Sequence, residues 1–198
     1  MRMDLQVQLS GGIRGHVVVM GIGNPCRGDD VAGSMVAQLL SDSWHIHPGH
    51  DFTRAGCPCH ASWDAHDAPG VRVIDAQDVP ENYLRQVVGE NPDTVVLIDS
   101  VDLDSAPGSV ALLYKDEVAG YWPSTHRMPL SLLMDYLERE TQARIFLIAI
   151  QPRHTAFMQP MCGEVHASVA SIAGMLKGVL EMRHVGEGGA ALRRHMAG

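Results

Sequence analysis

The chain lacks a cluster of lysine and arginine, a long apolar run and a cysteine framework, and each absence removes a class of function. With 15 Lys and Arg against 23 Asp and Glu it carries a formal net charge of −8. A nucleic-acid backbone, which calls for a basic patch, is therefore excluded as the expected partner. No apolar stretch approaches the roughly 20 residues of a membrane-spanning helix. The opening residues MRMDLQVQLSGG also lack the apolar core of a signal peptide. The four cysteines, Cys26, Cys57, Cys59 and Cys162, are too few for a secreted disulfide scaffold in a domain of 198 residues, which points to a reducing compartment. The expectation is a cytoplasmic protein with no membrane and no nucleic-acid partner. Nothing suggests an extended apolar interface, so a monomer is expected.

What is present is a chain of one-domain length, 45% hydrophobic, with apolar runs rich in Val, Ile and Leu at 16–22, 71–75, 94–99, 109–114 and 144–150. Several are continuous rather than alternating, as strands buried on both faces are. Between them lie three stripes at helical spacing: Val31, Met35, Val36, Leu39 and Leu40; Leu130, Leu133, Met134 and Leu137; Val165, Val169, Ile172, Leu176 and Val179. Strands alternating with helices predict an α/β fold, a three-layer sandwich in which helices flank a mostly parallel, twisted sheet. Residues 1–198 read as a single domain without internal repeats. Residues 43–69, dense in His, Pro, Asp and Gly, read as an inserted loop, and the ends, 1–14 and 186–198, as mobile.

That insertion holds Cys57-Pro-Cys59-His60 together with His45, His47, His50 and His66, so five of the eleven histidines fall within it. The spacing matches no paired C-x-x-C zinc pattern, and an exposed polar loop is the plainer reading. The first strand runs into HVVVMGIGNPCRGDDVAG, where a glycine turn precedes a predicted helix. Gly21 and Gly23 suggest a dinucleotide fingerprint, yet the sixth position is Cys26 instead of glycine. Asp29 and Asp30 at this helix start would repel a phosphate and suit a cation.

In a parallel sheet, ligands gather beyond the carboxyl ends of the strands, and three polar residues are placed there: Asp30, Asp99 at the end of TVVLIDS, and His126 in STHRMPL. A carboxylate ending a buried strand has to be paired, hydrated or bound to a cation. Taken alone, Asp99 could equally orient a loop and His126 cap a helix. Two carboxylates and an imidazole together form a mixed oxygen and nitrogen set suited to a divalent transition metal, with positions left open for substrate or water. Asp29 is assigned a structural role, as an N-cap of the helix that follows. Cys26 is read as a small buried residue rather than a nucleophile, and His154 and His166 as surface residues.

The ordered motifs GIGNPCRGDDVAG, VVLIDSVDLDSAPGSV, STHRMPLSLLMDYL and IFLIAIQP resemble those of the nickel-iron hydrogenase maturation endopeptidases. The similarity is nearest to the branch that processes the large subunit of the formate-hydrogenlyase hydrogenase, and spans about 16–182 apart from the insertion. The resemblance implies an endopeptidase that removes a C-terminal peptide from the large-subunit precursor once nickel has been inserted. It places the metal-contacting and catalytic positions on Asp30, Asp99 and His126. The metal would be nickel carried by the substrate, with no tightly bound metal of the enzyme's own. The alternative use of the same residues is a non-catalytic nickel-binding assembly chaperone. The chain departs from the family in one place: an Asp-Gly-Gly segment commonly follows the second strand, whereas here Asp75-Ala76-Gln77 stands. A backbone conformation that favours glycine is expected to be lost there.

Overall fold

The computed structural model describes residues 5–45, 70–118 and 128–195. Five strands, β1 (Val17–Ile22), β2 (Val71–Gln77), β3 (Thr94–Ser100), β4 (Val110–Leu113) and β5 (Arg144–Ile150), form one sheet in the order β2-β1-β3-β5-β4. All neighbours pair in parallel except β4, which runs antiparallel to β5 at the edge. The continuous apolar runs explain the layering. Every residue of β1 is buried, as are Thr94–Asp99 of β3 and Ile145–Ile150 of β5, because helices cover both faces.

Alternation along the strands separates two cores. On one face, Val17 and Val19, Val96 and Ile98, and Phe146 and Ile148 pack against α1 (Leu5–Gly12), α2 (Ala32–His45) and α6 (Gly163–His195). On the other, Val18 and Met20, Val95 and Leu97, and Ile145 and Leu147 pack against α3 (Leu84–Gly89) and α5 (Leu130–Thr141). A fourth short helix, α4 (Lys115–Val118), follows β4. The three helical stripes sit where the spacing puts them, with two exceptions. Val31 belongs to a 3-10 turn, Gly28–Val31, ahead of α2, and Leu39 is 40% exposed at the margin of its stripe.

The boundaries differ from the sequence reading at three places. Residues 5–12, expected within a mobile end, form α1, because Leu9 and the following Ile13 are buried in the first core. Helix α2 continues to His45, past the expected start of the insertion at 43, and α6 runs to His195. The rest of the insertion, with its cysteines and all its histidines except His45, lies outside the described residues.

The glycine turn is set by close packing. A Cβ on Gly33, in the first turn of α2, would lie 2.1 Å from the Ile98 carbonyl oxygen and 2.3 Å from that of Ile22. Only glycine lets α2 rest on the carboxyl ends of β1 and β3, which fixes the preceding turn that carries Asp29 and Asp30.

Candidate active site

Strand β1 connects through α2 to β2 on one side, while β3 lies on its other side, so the order of the sheet reverses between β1 and β3. Helices diverge at such a point and leave a crevice at the carboxyl ends. Asp30, from the turn after β1, and Asp99, from the end of β3, flank it. Both are nearly buried, at 8% and 7% exposure. Ser100 links them: its hydroxyl donates to Asp30 Oδ1 at 3.1 Å and its backbone N–H to Asp99 Oδ1 at 2.7 Å. Two nearly buried carboxylates gathered around one serine concentrate negative charge, an arrangement that a cation stabilises. Two of the three expected site residues are thus brought together by the fold. The third, His126, lies outside the described residues. Among the described residues no group of three or more His, Cys, Asp and Glu side chains is arranged to hold a metal.

Asp29 is structural, but not as an N-cap. It is fully buried, and its carboxylate accepts backbone N–H bonds from Arg153 (2.8 Å), His154 (3.2 Å) and Cys162 (2.7 Å), while its own N–H donates to the His154 carbonyl at 3.1 Å. The turn containing Asp29 has no side-chain cap. The carboxylate instead fastens the turn after β1 to the segment after β5. Burial pushes its pKa up, but the donors from Cys162, Arg153 and His154 outweigh this and hold it below the ordinary carboxyl value.

His154, expected at the surface, is half-buried: its Nδ1 is shielded without a hydrogen-bond partner and would lie 2.7 Å from a Cβ on Gly28, whose φ is +55°. His166 is exposed, as read. Cys26, expected to be buried, is exposed, because the turn points it outward. The Cys162 thiol is pushed up by burial and by the neighbouring Asp29 carboxylate, which disfavours a thiolate nucleophile.

Two polar organisers escaped the sequence reading. One is Ser100. The other is Gln151, which directly follows β5 and is 7% exposed; its Oε1 accepts from the N–H groups of Leu103 (2.6 Å) and Ser105 (3.3 Å), and its Nε2 donates to Asp102 Oδ1 (3.2 Å) and the Pro152 carbonyl (2.9 Å). Gln151 thereby holds the loop after β3 against the end of β5. A polar residue closing the run IFLIAI was the available signal.

At Asp75-Ala76-Gln77 a non-glycine residue stands in the left-handed region. The β1–β2 register shifts there, Gly21 facing Asp75 and Ile22 facing Gln77, and Gln77 adopts φ +50°. Its carbonyl accepts the Gly23 N–H at 2.7 Å, and Asp75 receives the Ser34 hydroxyl at 2.7 Å and the Gln38 amide at 2.8 Å. The expected loss of a glycine-favouring conformation is corrected: these bonds hold a non-glycine residue in the left-handed region.

Residues 62–178 match the family model described as HycI, hydrogenase maturation protease. The chain is 28% identical over 162 residues to the hydrogenase 3 maturation protease of Escherichia coli K12, covering 81% of this chain and 88% of that protein. A Methanocaldococcus jannaschii protein named as a hydrogenase maturation protease is 28% identical over 165 residues, 83% of this chain and 88% of its own length. In fold, the chain is similar to the NiFe hydrogenase maturation protease HycI of Thermococcus kodakarensis KOD1, with a TM-score of 0.69 and 24% identity over 89% of this chain and 98% of that one. It is also similar to the endopeptidase HycI of Escherichia coli, with a TM-score of 0.64 and 24% identity over 82% and 89%. With more than half of its residues matched by one family model, this chain belongs to the hydrogenase maturation proteases and is a peptide-bond hydrolase.

Proposed function

We propose that the chain removes a C-terminal peptide from the nickel-loaded precursor of a nickel-iron hydrogenase large subunit, using Asp30, Asp99 and His126 to contact nickel that the precursor brings. The observation that carries this reading is the pair of nearly buried carboxylates joined through Ser100 at the point where the sheet reverses. The donor set leaves coordination positions open, which suits a metal already held by the substrate. Contact with the enzyme's carboxylates would place the scissile peptide beside the metal. There the metal polarises the carbonyl or a water molecule as a Lewis acid, and a carboxylate within reach accepts the proton. The enzyme then needs no tightly bound metal of its own, and an empty precursor is not cut. The same reading makes the protein a cytoplasmic monomer whose partner is the precursor. No helix among the described residues is long and apolar enough to cross a membrane.

The test is incubation with precursor prepared with and without nickel, followed by mass measurement of the large subunit. Loss of a C-terminal peptide in the nickel sample alone is expected. Asp99→Asn and His126→Ala are expected to slow cleavage at least about a hundredfold, the scale of removing a group that acts on the reacting centre. Cleavage of the metal-free precursor, or either variant acting at the normal rate, would overturn the proposal.

A further inference from the structure

Phe157 and Met158 are the most exposed large apolar side chains among the described residues, at 68% and 72%. They sit side by side at the tip of the segment between β5 and α6, at the carboxyl end of the sheet. Exposed consecutive aromatic and thioether side chains are unusual on a free surface, and both residue types are enriched where proteins meet.

The tip is held firmly. At its two ends, Arg153, His154 and Cys162 donate to the buried Asp29 carboxylate. At its apex, the Met158 N–H donates to the Cys26 carbonyl at 2.7 Å. Met158 itself adopts φ +59°, a left-handed conformation that is unfavourable for a non-glycine residue. The backbone is thus locked in a strained shape whose effect is to present two apolar side chains to water. Both anchoring points belong to the turn that also carries Asp30, so the tip cannot move independently of the crevice wall.

We infer that Phe157 and Met158 form a rigid apolar anchor that grips the body of the protein substrate beside the bond delivered to Asp30 and Asp99. This rests on the reading above that a folded precursor brings its metal and its C-terminal peptide to that crevice. The position of the tip selects the occupant. The Met158 N–H bond to the Cys26 carbonyl seats the tip on the turn that carries Asp30, so a protein whose peptide reaches Asp30 passes close to these side chains, whereas a second copy of this chain seated there would stand in that path. The surface of the partner that meets the tip is accordingly apolar, with a depression able to take an aromatic ring and a thioether.

The test compares wild type, Phe157→Ala, Met158→Gly and, as a control, Met182→Ala. Glycine suits the left-handed φ at 158 and so removes the thioether without adding strain. Met182 is 60% exposed on α6, which runs away from this end of the sheet. Cleavage of nickel-loaded precursor is followed at varied precursor concentration, with thermal unfolding as the check on the fold. The expected result is a rise in KM of about tenfold or more for each tip variant, kcat within about twofold and a melting temperature no lower than that of wild type, the behaviour of an interface hot spot. Met182→Ala is expected to match wild type. An unchanged KM in both tip variants would overturn the inference. So would sedimentation showing that wild type self-associates through residues 157 and 158. Should wild type fail to cut the nickel-loaded precursor, the functional reading fails, and precursor binding measured by fluorescence anisotropy still decides the anchor: equal affinity of wild type and tip variants overturns it.

Discussion

Two adjacent aspartates divide the work of one turn. Asp30 faces the crevice with Asp99 and Ser100, while Asp29 turns inward and accepts three backbone donors from a segment more than 120 residues away. The sequence reading assigned the structural role to Asp29, but as an N-cap; its actual partners lie on a distant segment that only the fold brings to the 3-10 turn. The bonding of Asp29 also has a pH consequence. Its folded pKa lies below its ordinary value, so the stabilisation it confers is present above the unfolded carboxyl value, about 3.9. It is lost as pH falls through the folded value. Chemical unfolding followed between pH 7 and about pH 2 is expected to show stability declining at the acid end of that range in wild type. Asp29→Asn, which sets an amide against backbone donors, is expected to lower stability at pH 7 by about 1–3 kcal/mol and to flatten the acid dependence. An Asn variant with unchanged stability and the same acid slope would remove Asp29 from this role.

Among the secondary elements, the decisive contact is the seating of α2 on the sheet. The stripe of Val36 and Leu40 supplies the apolar face, but Gly33 sets the approach distance by leaving no side chain between the helix and the carbonyls of Ile98 and Ile22. Gly33→Ala forces backbone apart, and its expected cost is about 3 kcal/mol, at the upper end for overpacking. Because the shift acts on the turn carrying Asp30, cleavage is expected to fall more than stability alone accounts for, measured as kcat at a temperature where the variant is fully folded. An alanine variant with wild-type melting temperature and kcat would contradict this account. The elements themselves were legible from pattern. All five strands and three helices fall on the expected runs, because strands buried on both faces leave continuous Val and Ile and half-buried helices leave a stripe. Helix α1 was not legible, since a short segment with one core residue, Leu9, carries too little periodicity to stand out from a tail.

For the whole molecule, one sheet serves two cores. Leu137 of α5 and Leu176 of α6 are both fully buried, on opposite faces of strands that alternate their side chains between them. Neither core can come apart while the other keeps the strands aligned. Leu137→Ala and Leu176→Ala are each expected to lower stability by about 2–5 kcal/mol, and each variant is expected to retain a single cooperative transition by calorimetry. A separate low-temperature transition in either variant would show that the faces unfold independently.

The sequence by itself determined the layered α/β architecture, because hydrophobic period is a local property of the chain, and its ordered motifs carried the resemblance to the family and singled out Asp30 and Asp99 as candidates. Only the tertiary structure decided what Asp29 binds, that Ser100 joins Asp30 to Asp99, that Gln151 ties the loop after β3 to β5, and that Asp29 pins the tip bearing Phe157 and Met158. Those arrangements depend on hydrogen bonds between segments 70 to 133 residues apart in several cases. Such partners become neighbours only once the strand order is set, and no periodicity within a single segment encodes them.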